Sequence, residues 1–154
     1  MAADDAKRGL DDRYVLELLM QSYSLNELFG ILESICENID ERYINPNLKN
    51  SRYFNITFFG VLARARSLLE KMLFRTEVLR RTMPEFSGIH ESLLEYDKAL
   101  SRAHALVSDN NMIEGRVRII EAARMYPAIL GEITGILIDA KEAREDAGKE
   151  GAIK

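Results

Sequence analysis

Leu25, Leu28, Phe29, Leu32, Ile35, Cys36 and Ile39 return at intervals of three and four residues, and that stride commits the segment to an amphipathic helix. Glu33, Glu37 and Asp40 fall on the opposite side. Residues 52–81 repeat the lesson at greater length. They hold no proline and one glycine, Gly60, and place Phe58, Val61, Leu62, Ala65, Leu69, Met72 and Leu79 on one stripe, which predicts a single long helix. With three prolines and nine glycines in 154 residues, the chain has few of the turns an all-β plan would need.

Local signals divide the remainder. Asp11 and Asp12 stand at the amino end of a first short helix, residues 13–21, whose apolar face is Tyr14, Val15, Leu18 and Leu19. Ser24 and Glu27 have capping-box spacing, so a second helix is expected to start there. Residues 43–50 carry three asparagines and Pro46 and predict a loop. A fourth helix, capped by Ser87, follows with the stripe Ile89, Leu93, Tyr96, Leu100, Ala103 and Val107, and ends in the polar run 108–111. A fifth spans residues 112–125. Pro127 is read as a break before a sixth, which packs Ile129, Leu130, Ile133, Ile136, Leu137 and Ala140 inward.

The resulting expectation is an all-α fold, a bundle of about five or six antiparallel helices with one long central helix. It forms a single domain over residues 1–154, in which 1–10 and 148–154 are flexible tails. No run of apolar residues is long enough to span a bilayer, residues 1–8 lack a leader-like apolar core, and Cys36 is the only cysteine. A cytoplasmic protein is therefore expected.

Signatures of chemistry are sparse. His90 and His104 are the only histidines and neither has the glutamate spacing of a carboxylate-bridged metal site; His104 reads as a packed residue at the border of its stripe. Cys36 lies within an apolar stripe, which hides a thiol and raises its pKa. Neither a nucleophile elbow nor a phosphate-cradling glycine loop occurs, so no cofactor, no metal and no catalytic residue is assigned. The carboxylates Glu91, Glu95 and Asp97, or Glu142, Glu145 and Asp146, keep an all-helical metal-dependent hydrolase as a third reading; basic neighbours favour ordinary ion pairs.

Charge is unevenly spread. Residues 1–51 carry five basic and ten acidic side chains, 52–124 twelve and nine, and 125–154 four and six, for a net −4. Arg64, Lys71 and Arg75 align along one flank of the long helix and Arg80 and Arg81 extend the line. This is a candidate phosphate-contacting stripe, or a partner for the acidic second helix. Phe74 and Val78 fall opposite the apolar stripe of the same helix. Arg116 and Arg124 flank the fifth helix, and Gly131 and Gly135 share the outer side of the sixth, where small residues admit a close neighbour. These six residues form a candidate interface. The functional expectation is a non-enzymatic interaction or adaptor protein, a homo-oligomer or a subunit of a larger complex, with a nucleic-acid-associated subunit as the alternative.

Overall fold

In the computed structural model, backbone is described for residues 2–37, 49–109 and 111–153, and side chains for residues 13–37, 56–109, 111, 113–139 and 142. Five helical segments follow in order: α1 (Ala2–Glu37), α2 (Lys49–Leu79), α3 (Phe86–Ser108), α4 (Met112–Met125) and α5 (Pro127–Ile153), with no strand among the described residues. Only Tyr126 separates α4 from α5. Its φ of −60° and ψ of −36° are helical and its amide reaches the Ala122 carbonyl at 3.0 Å, so the two segments continue as one rod. Pro127 opens α5, a position where its missing N–H is tolerated.

The molecule is thus a ring of four rods. α1 adjoins α2, α2 adjoins α3, α3 adjoins α4, and α4 closes back on α1, with α5 extending along α1 and α3. Three expectations change accordingly. The first two predicted helices are one, because α1 passes through Ser24, which is exposed mid-helix rather than capping an end. The five or six predicted helices therefore pack as four rods among the described residues. No helix is central either: α2, at 31 residues, occupies a corner and is shorter than the 36-residue α1. Residues 2–10 and 148–153 belong to α1 and α5, and Lys49 and Asn50, expected in a loop, belong to α2. Ile39, Asp40 and the rest of that loop, residues 43–48, lie outside the described residues.

Burial explains why the ring closes. The buried positions of α1 are Val15, Leu18, Ser22, Leu25, Phe29, Leu32 and Cys36, and those of α2 are Phe58, Leu62, Ala65, Leu69, Met72, Thr76 and Leu79. Both series alternate steps of three and four without a break, the 3.5-residue repeat that keeps one seam facing its neighbours along a whole helix. In α3 the same stride carries Phe86, Ile89, Leu93, Leu100, Ala103 and Val107. Phe29, Tyr96 and Tyr126, from three different rods, meet with ring centroids 5.0 to 6.0 Å apart. α3 begins without a side-chain cap; the turn supplies acceptors instead, Phe86 N–H to Met83 O and Ser87 N–H to Pro84 O, both at 3.0 Å. Ser87 is not the cap.

Candidate functional site

The buried polar residues Ser22, Thr76 and His90 each have a partner on another rod, whereas the buried Gln21 Oε1 has none among the described residues. Ser22 Oγ lies 2.8 Å from the hydroxyl of Tyr126, 104 residues away, and burial pushes the Tyr126 phenol well above its ordinary range. His90 Nδ1 is 2.6 Å from Thr76 Oγ1 and its Nε2 is 3.4 Å from a carboxylate oxygen of Glu77. When Thr76 donates to its own backbone at Met72, 3.0 Å away, His90 Nδ1 must be the donor to Thr76. These are ties between rods. His104 is exposed and sets its ring edge-on to Phe59, 5.1 Å between centroids. Cys36 is enclosed as expected, its thiol pushed up to about 12 chiefly by burial, with nearby Arg116 pulling it down and Glu37 reinforcing the rise. No group of three metal-ligating side chains occurs among the described residues. Glu91 and Glu95 are exposed, Glu95 with Lys98 at 3.4 Å, while Glu145 and Asp146 fall outside the described side chains.

The candidate phosphate stripe is largely occupied from within. Arg75 pairs with Glu17 of α1 and lies 5.3 Å from the centre of the Tyr14 ring. Arg80 reaches Glu77 at 2.7 Å and Arg81 approaches it at 4.0 Å. Arg64 and Lys71 are exposed, with no ion pair among the described residues. The acidic helix meets a different cation from the one expected: Glu33 and Glu37 take Arg124 of α4, at 3.3 and 3.0 Å, and these two bonds raise the pKa of its guanidinium. Arg124 is therefore engaged inside the molecule, and Arg116 is half-buried beside Cys36.

The apolar and small candidates divide. Val78 is half-buried, whereas Phe74 is 68% exposed. Gly131 and Gly135 point away from buried Ile129 and Ile133, and a methyl group built on either would meet nothing within 4 Å. None of the described residues fills that space.

A stripe that sequence reading missed lies on α1. Leu16, Met20 and Tyr23 are 53%, 62% and 54% exposed, and their steps of four and three place them on one ridge opposite Leu18, Ser22 and Leu25. Dividing α1 at Ser24 concealed it; treating residues 13–37 as one helix brings out both seams. Ile138 of α5 is 49% exposed. No protein-family model, curated protein or solved structure matches the chain.

Proposed function

We propose that the protein is a helical interaction module, working as a homo-oligomer or as a subunit of a larger assembly through the outer faces of its rods. The observation that carries this reading is the exposed ridge Leu16, Met20 and Tyr23. Three large apolar side chains in line on one helix are a costly thing to leave in water, and contiguous patches of this kind mark contact surfaces. Phe74 and the open flank of α5 add to the same surplus. In the core, the Ser22–Tyr126 and Thr76–His90 contacts are buried and tie one rod to another.

Sedimentation at micromolar concentration, paired with affinity capture from the source cells, tests the reading. An assembled species or a reproducible stoichiometric partner is expected; a strict monomer that captures nothing removes it. A nucleic-acid role now rests on Arg64 and Lys71 alone. Filter retention of RNA or DNA that falls steeply with salt would put that role in first place.

A further inference from the structure

Gln21, the one glutamine in the chain, lines a cavity of about 580 Å³ between α1 and α2, within the roughly 300–1,000 Å³ of small-molecule sites. Its Oε1 is closed off from water with no hydrogen-bond partner among the described residues, an exception that calls for a cause. Loose packing is not that cause, because Ser22, the next residue, is enclosed and satisfied by Tyr126.

The opposite wall of the cavity is the cationic stripe of α2. Lys71 and Arg75 line it, and Arg64 continues the same flank two turns away. Two aromatic rings stand with these cations. Phe74 is 68% exposed, and Tyr14 of α1 has the Arg75 guanidinium 5.3 Å from its ring centre. Folding thus brings an aromatic ring and an orphaned amide from α1 to a stripe that α2 carries alone.

Charge limits the size of the occupant. Glu17 pairs with Arg75, so Lys71 is the cation left for an anion, and Glu70 lines the same cavity with no ion pair among the described residues. A nucleic-acid strand laid along this groove would carry its phosphates past both carboxylates, which repel them; a small ligand with one acidic end avoids that cost. We infer that the groove binds a small aromatic anion, a planar ring carrying one phosphate or carboxylate, as in a nucleoside monophosphate or an aromatic carboxylic acid. Its ring lies against Phe74 and Tyr14, its acidic end takes Lys71, and an N–H or O–H of the ligand donates to Gln21 Oε1. Ser67 and Glu70 accept from its remaining hydroxyl or amino groups. This site goes beyond the interaction-module reading and does not depend on it.

Isothermal titration of the full chain is the test. The probes are adenosine, guanosine, cytidine and uridine monophosphates and 4-hydroxyphenylacetate, with adenosine, inorganic phosphate and acetate as fragments lacking either acid or ring. At least one aromatic anion is expected to bind with a Kd below about 1 mM, roughly tenfold or more tighter than any fragment, and the tighter class identifies the source of the acid. Phe74→Ala and Lys71→Ala should each weaken it about five- to tenfold with the helical circular dichroism unchanged. Gln21→Leu should abolish binding while raising the melting midpoint of the ligand-free protein by about a few degrees, since the unpaired oxygen is gone. No binding by any probe, or fragments that bind as tightly as the whole ligands, overturns the site. A Gln21→Leu chain that binds as wild type does, or melts below it, overturns the role given to the amide and the inference with it.

Discussion

Gly115 at the α3–α4 corner and Gly131 on α5 are both helical glycines, and their surroundings are opposite. A methyl group on Gly115 would come within 2.7 Å of Val107 Cγ2 and 3.5 Å of the Ala103 carbonyl, whereas one on Gly131 meets nothing. Glycine costs a helix roughly 1 kcal/mol relative to alanine, a cost that α4 recovers through the close approach of α3. On α5 no return comes from the described residues. The same contrast separates Phe29, fully enclosed between Tyr96 and Tyr126, from Phe74 on the outer side of α2.

Substitutions can break or sharpen this contrast between enclosed and open faces. Phe29→Ala should cost about 3–5 kcal/mol in chemical denaturation, and Phe74→Ala less than about 0.5 kcal/mol; similar losses at both sites would erase the distinction. Gly115→Leu should destabilise by about 1–3 kcal/mol because Val107 is stiff and buried, while Gly131→Leu, with open space around it, should stabilise by up to about 1 kcal/mol as the glycine's helix cost is removed. Ser22→Ala strands the Tyr126 hydroxyl, whose one remaining hydrogen-bond partner among the described residues is Met72 Sδ at 4.0 Å, and should cost about 1–2 kcal/mol. Adding Tyr126→Phe should return part of that loss, and additive losses in the double variant would deny the coupling.

The smallest effect is a pH slope. The enclosed Cys36 thiol holds its proton to about 12 instead of its ordinary 9.0, so the unfolded chain ionises first and stability falls as pH rises from 9 toward 12. Near pH 10 this amounts to about 1 kcal/mol. Tyr126 and Tyr96, both raised by burial, act in the same direction. Thermal melts of Cys36→Ala should decline less steeply than wild type across that window; parallel slopes would show that the thiol is not shielded.

Much of the fold was legible because its stride is local. The seams of α2 and α3 and the turn after Ser108 follow from spacing and turn chemistry within a dozen residues. The division of α1 failed for a physical reason. Ser22 takes a core position, so the apolar stripe seems to lapse between Leu19 and Leu25, and the Tyr126 hydroxyl that satisfies it lies on another rod. His90 was weighed only as a metal ligand, and its tie between rods was missed for the same cause, since Thr76 and Glu77 reach it from α2. The cationic stripe was read from spacing along one helix, whereas the pairing of its Arg75 with Glu17 depends on which rod becomes the neighbour. Outer glycines were readable as small; that none of the described residues covers them was not.

The bond between Ser22 and Tyr126 sets an order on biosynthesis. α1 leaves the ribosome with its seam complete, but the wall that shuts the ring is translated more than a hundred residues later. At about 5–20 residues per second, nascent α1 waits several seconds for that wall, with α2 and α3 covering only part of its greasy side. During that interval a chaperone, or a second nascent chain, has its best access to the interior, and a slower ribosome lengthens the exposure.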